Sequence, residues 1–215
     1  MPRCFKTLLP ATVAVLLVFG FFPTQAAAQA EATAIIGYLL GSDIDPDPGD
    51  GVSRNFESGL AWGVRGGYSF KDNPMLGLEG SFTQAPLADI NVGSDTFANR
   101  VTYADFNMVI QGSNPDRRPY VTIGLGLLSF RMGASDGGQT HRKLGTNIGV
   151  GIKLLMWEHT GGGKWGLRFD ARNHMHRMDA DDSMRSNFKN ALALPHNSTS
   201  SINNIVTTLG FYFTF

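Results

Sequence analysis

The 215-residue chain has room for a single domain. Its 18 basic and 18 acidic residues cancel, and no basic run offers a surface to nucleic acid. Charged residues make up 17 % of the chain, below the roughly 25 % of soluble domains, while glycine (26 residues) and aromatics (11 %) are abundant.

The first thirty residues differ from the rest. Arg3 and Lys6 precede a mostly apolar stretch, Leu8 to Phe22, which is broken only by Pro10, Thr12 and Gly20. Pro23 and the small-residue tract Ala26-Ala27-Ala28-Gln29-Ala30 follow, with an Ala-x-Ala site before Glu31. This is the layout of a cleaved secretory signal peptide, assigned to residues 1–30, with one domain at 31–215. The apolar core is short for a spanning helix, which takes about 20 residues. Cys4 is the only cysteine and leaves with the leader, so the mature chain is expected to contain no disulfide. Without Arg3 and Lys6 the balance is 16 basic to 18 acidic residues, a formal net charge of −2.

Beyond residue 30 the apolar period is two, the period of a strand with one apolar face. Weaker candidates at Thr33–Gly41 and Thr102–Gln111 bracket two clear ones. In the first, Leu60, Trp62 and Val64 alternate with Ala61, Gly63 and Arg65; in the second, Leu76, Leu78 and Phe82 alternate with Gly77, Glu79 and Ser81. Further along, Val121, Ile123, Leu125 and Leu127 share one face, as do Ile148, Val150, Ile152 and Leu154. Trp165, Leu167 and Phe169 alternate with Gly166, Arg168 and Asp170. The last strand carries Ile205, Leu209, Phe211, Phe213 and Phe215 on one side. That makes eight strands, each long enough for the 9–11 tilted residues of a membrane strand.

The connections alternate in length. Lys71–Pro74, Gly112–Pro119 and Trp157–Lys164 are compact and rich in Gly, Asn or Pro, whereas Ser42–Asn55, Gln84–Asn99, Met132–Lys143 and His176–Ser201 are longer and polar. Short turns at one end and long loops at the other are the asymmetry of outer-membrane barrels. The expected fold is therefore all-β: an eight-stranded antiparallel up-and-down transmembrane β-barrel. A soluble lipocalin-like barrel would place the same apolar face inward. Three features favour lipid outside: the glycine-loaded polar face, aromatics near strand ends such as Phe70 and Trp165, and a final apolar Phe215.

The segment Leu209-Gly210-Phe211-Tyr212-Phe213-Thr214-Phe215 resembles the terminal strand of outer-membrane proteins, with Leu209, Phe211, Phe213 and Phe215 as the sorting positions. Arg118-Pro119-Tyr120-Val121-Thr122-Ile123-Gly124-Leu125-Gly126 is similar to the fifth strand of small barrels of the OmpA and OmpW type. Leu167-Arg168-Phe169-Asp170-Ala171-Arg172-Asn173-His174 resembles a charged seventh strand in the same families. The resemblance implies a Gram-negative outer-membrane location, a lipid surround and handling by the barrel-assembly machinery. No peptidoglycan-binding domain is expected after the barrel, so an anchoring role like that of full-length OmpA is not implied.

Six charges lie on the small-residue face: Arg65, Glu79, Lys153, Arg168, Asp170 and Arg172. An outward arginine near the midplane would cost roughly 2–4 kcal/mol, so these are expected in the lumen. Arg65 and Glu79 flank the Lys71–Pro74 turn as a cross-strand pair, and the set as a whole has a positive excess that would bias any leak toward anions. His174 and His176, ahead of Asp179, Asp181 and Asp182, are more simply a polar strand end than a metal site. No cofactor is expected. The leading functional expectation is a non-enzymatic envelope barrel with a structural or loop-interaction role, followed by a narrow conduit for small polar or apolar molecules. A lipid A-modifying enzyme would need Ser183 or Ser186 with His174 on the lipid-facing wall, and no His-x-Ser pairing supports it.

Overall fold

The computed structural model describes residues 29–41, 54–86, 89–92, 95–97, 99–132, 139–160, 162–179 and 199–215. Eight long strands close into one antiparallel barrel: β1 (Gln29–Leu40), β3 (Gly59–Ser69), β4 (Leu76–Ala85), β7 (Asn99–Gln111), β8 (Arg117–Met132), β9 (Gln139–Glu158), β10 (Lys164–Asp179) and β11 (Thr199–Thr214). Each neighbours the next in chain order, and β1 closes the ring by pairing with both β3 and β11. Closure leaves no free sheet edge, the condition for a sheet to sit in lipid. Residues 1–28 lie outside the described part of the chain, and with them most of the expected leader. β1 opens at Gln29, two residues before the boundary expected from sequence, and Ala30 accepts a hydrogen bond from the Phe215 amide at 3.0 Å.

Alternation sets the two faces. Ile36, Leu60, Trp62, Phe106, Ile123, Leu125, Val150 and Phe211 are exposed on the outer wall, where lipid would cover them. At the turn end the aromatics form contacts suited to an interfacial girdle: Trp165 with Phe211 at 5.2 Å between centroids, Phe213 with Phe215 at 4.9 Å, and Tyr68 with Phe70 at 5.8 Å. The glycines of the inner face make room for rings. Tyr120 and Gly151 are register partners, and a Cβ on Gly151 would meet the phenol ring. Tyr212 covers Gly166 in the same way, with ring carbons 2.8 Å from where a Cβ would stand. Such tyrosine-over-glycine pairs pin register in barrels that would otherwise slip.

Two regions depart from the sequence expectation. The segments expected as featureless loops contain a small second sheet, β2 (Arg54–Phe56), β5 (Ile90–Val92) and β6 (Asp95–Phe97), paired in the order β2-β5-β6. The β8–β9 and β10–β11 hairpins also extend past the expected loop starts, so His176 lies within a strand. Their lengths of 16, 20, 16 and 16 residues, against 11 and 10 for β3 and β4, carry one side of the barrel farther toward the loops.

Along that extension the pattern inverts. Val101, Leu128, Phe130 and Ile202 point inward and are buried. Arg100, Ser129 and Arg131, their neighbours in sequence, face outward. Apolar inside and polar outside is the pattern of a barrel in water. One strand therefore carries both arrangements, lipid-type below and water-type above.

Candidate functional site: the barrel interior

The inward positions of six strands bring a dense set of charges into the lower lumen. Arg65 (β3), Glu79 (β4), Lys153 (β9), and Arg168, Asp170 and Arg172 (β10) are all buried there. Glu31 of β1 joins them, its side chain 10 % exposed. Asp105 of β7 is buried slightly farther from the turns, accepting a hydrogen bond from Ser81 Oγ at 2.9 Å.

Asp170 and Glu79 are the two hubs. Arg65 clasps Asp170 with both terminal nitrogens, the Nη2–Oδ1 contact being 3.0 Å, and the same Nη2 donates to Thr208 Oγ1 at 3.1 Å. Tyr120 donates its hydroxyl proton to Asp170 Oδ2 at 2.7 Å and accepts from Arg168 Nε at 2.7 Å. The Arg168 guanidinium also lies over the Tyr120 ring, 4.5 Å from its centroid, in cation–π geometry. Glu79 receives Arg168 Nη1 and Arg172 Nη2, both at 2.6 Å, one on each oxygen. β4 and β10 are four strands apart by either route round the barrel, so this pair of bonds crosses its full width.

A second strut lies nearer the turns. Lys153 Nζ contacts Glu31 Oε2 at 2.5 Å and donates to Gln111 Oε1 at 3.3 Å. Arg168 Nη1 reaches the other Glu31 oxygen at 3.2 Å. Gln111 in turn donates to Ser69 Oγ and to the Pro74 carbonyl, tying the network to the β3–β4 turn. Charge-assisted, multiply shared bonds of this kind are the strong ones, and each carboxylate here is held by at least two donors.

Two sequence expectations change. The register sets Glu79 against Gly67 and Arg65 against Ser81, so the expected Arg65–Glu79 cross-strand pair gives way to bonds across the lumen. The expected positive excess narrows, because two carboxylates join the six expected charges. In the network itself Arg65, Lys153, Arg168 and Arg172 face four carboxylates, Glu31, Glu79, Asp105 and Asp170, while Arg118, opposite Lys153 with its Nε buried, adds a positive charge at the turn-side mouth. Glu31 stands at the leader boundary and Asp105 on a strand with a weak apolar period, so the sequence pattern marks neither strongly. Each sits on the inward parity of its strand, a signal that alternation alone could have supplied.

Farther from the turns, His174 stacks on Tyr103 with centroids 4.1 Å apart, and His176 lies parallel to it at 6.4 Å. His174 Nδ1 is 3.5 Å from Asp105 Oδ1, and Asn204 donates to the Tyr103 hydroxyl at 2.7 Å. Both histidines point into the barrel and away from lipid. Among the described residues no group of three His, Cys, Asp or Glu side chains forms a metal cage. Asp181, Asp182, Ser183 and Ser186 lie outside the described residues.

Leu209, Phe211, Phe213 and Phe215 all face outward on β11 and its end, where the barrel closes onto β1. A shallow, nearly flat depression marks the outer wall across β1, β11, β10 and β9, bordered by Ile36, Tyr38, Val150, Ile152, Phe169 and Leu209. It opens sideways toward lipid.

A closed eight-stranded sheet with an apolar outer band and a packed charged interior defines a small transmembrane barrel. The chain matches the outer membrane protein beta-barrel domain over residues 14–211 and belongs to that family. Its place is accordingly the outer membrane. Among solved structures, neisserial surface protein A is similar at 9 % identity with a TM-score of 0.54, the match covering 88 % of this chain and 99 % of that one. The outer membrane protein OprG from Pseudomonas aeruginosa is similar at 14 % identity with a TM-score of 0.52, covering 88 % and 96 %. At these identities the likeness is one of fold. No curated protein matches the chain in sequence.

Proposed function

We propose that the protein is a non-enzymatic outer-membrane barrel whose closed wall supports surface loops and contributes to envelope integrity or loop-mediated interaction. The observation that carries this reading is the ion network. Arg168 and Arg172 are 1 % and 2 % exposed, and the bonds from β10 to Glu79 cross the lumen. An interior of eight strands holds little more than side chains, and here those side chains are interlocked. Placement of His174 against Tyr103 inside the barrel supports the absence of catalysis, because a lipid-modifying histidine would face the membrane.

On this reading the chain crosses the inner membrane with its leader, which is removed at the Ala-x-Ala site before Glu31. The barrel-assembly machinery then receives the β11 strand through Leu209, Phe211, Phe213 and Phe215. Planar-bilayer recording tests the closed lumen: neither the wild type nor Asp170→Ala should give discrete conductance. A defined unitary current from the wild type would overturn it in favour of a narrow channel. Mass spectra of lipid A should be the same with and without expression.

A further inference from the structure

The outer wall carries a row of arginines that the luminal network does not use. Arg100 on β7, Arg131 on β8 and Arg142 on β9 all face outward and are exposed. Arg100 and Arg131 are direct register partners, while Arg142 stands opposite Ser129, diagonal to Arg131. Directly opposed Cβ atoms lie roughly 5 Å apart and diagonal ones about 7–8 Å, and like charges so placed repel. Among the described residues no acidic side chain is paired with any of the three. Arg177 on β10, also outward and exposed, carries the row onto a fourth consecutive strand.

The row sits at one height. Arg100 and Arg131, register partners, each stand ten residues along their strands from an outward apolar residue near the turn end, Ile110 and Val121, themselves register partners; Arg142 shares their level through its diagonal place beside Arg131. At about 3.3 Å per residue and a tilt of about 45°, ten residues climb roughly 23 Å. That is close to the ~25 Å height of the apolar band of such barrels. The guanidiniums therefore lie at the loop-side border of the membrane, with Leu125, Leu127 and Leu144 exposed just below them. The inversion of the strand pattern marks the same border independently: inside the wall at this level stand Val101, Leu128 and Phe130.

We propose that this arginine row is a binding site for the phosphorylated headgroup of an outer-leaflet lipid, whose acyl chains lie on the leucines beneath. A phosphate between Arg100 and Arg131 converts their repulsion into two attractions. The planar guanidinium fork matches two phosphate oxygens at once, which a lysine ammonium does not. A soluble polyanion would need the charges but not the apolar surface continuous with them. The site is on the outside of the wall and does not depend on whether the lumen is closed.

The test is titration of the folded protein, in nonionic detergent, with lipid A in mixed micelles. The variant Arg100→Gln/Arg131→Gln/Arg142→Gln should bind at least about tenfold more weakly than the wild type. The triple Arg→Lys variant should fall between them. Lipid A stripped of its phosphates should bind the wild type no better than it binds the glutamine variant. Heat-modifiable migration on a gel verifies folding, and if the triple variant does not fold, Arg131→Gln alone is expected to weaken binding about tenfold. Equal binding by the wild type and a folded glutamine variant would overturn the proposal. So would inorganic phosphate, or the deacylated phosphorylated sugar, binding as tightly as lipid A, since the site would then read a soluble anion.

Discussion

The two ends of the barrel interior are equally buried and chemically different. Toward the turns, Arg65, Asp170, Arg168, Glu79 and Arg172 form a connected set of ion pairs. Toward the loops, Leu39, Val101, Leu128, Phe130 and Ile202, all 2 % exposed or less, fill much of the same lumen with hydrocarbon, beside the buried polar side chains of His176 and Asn99. The outer wall supplies the reason. Where lipid covers the outside, apolar residues must point out and the inside is left to polar groups that satisfy one another. Where the wall on the β7–β8 side rises past the lipid, its outside carries Arg100 and Arg131, and the inside can be dry. Burial by itself does not predict what a luminal residue will be; the medium on the other side of the wall does.

The largest effect is expected from breaking the charged half at its hub. Asp170→Ala removes the acceptor of Arg65 and Tyr120 and leaves buried guanidinium without its partner, a loss of about 3–5 kcal/mol. Urea unfolding of the barrel in lipid or detergent would measure it, and a loss under 1 kcal/mol would mean that the network relaxes around the gap. Next comes the apolar half. Phe130→Ala should cost about 3 kcal/mol through the cavity it leaves, within the range for buried phenylalanines. The smallest effect is expected outside the lumen. Lys164 and Glu158 pair at 2.8 Å with the carboxylate half exposed, and Glu158→Gln should change stability by no more than about 1 kcal/mol. A larger loss there would show that the turn-side rim, rather than the lumen, holds the barrel closed.

Much of the barrel was legible because its constraint is local and repeats. Every lipid-facing strand must alternate, and tight turns need Gly, Asn or Pro, so strand number, turn side and the inward parity of Arg65, Lys153 and Arg168 could be read off the chain. The loop-side extension was not legible in the same way. Val101 and Phe130 alternate with Arg100 and Arg131 at the same period of two, and periodicity does not say which face is inside. The small β2-β5-β6 sheet escaped as well, since three-residue strands are too short to establish a period.

Partner choice in the lumen lay further still from the sequence. By itself the sequence determined an alternating, closed-sheet chain, with charges on the face turned from lipid and Phe215 on the outward face of its last strand. That follows from one-dimensional rules of parity and turn chemistry. Only the tertiary structure decided that Arg65 clasps Asp170 instead of Glu79, that Glu31 and Asp105 join the interior charges, and that Arg100 stands beside Arg131. Those pairings depend on strand register and on contacts across the barrel's width, and neither is encoded in the spacing along any single strand.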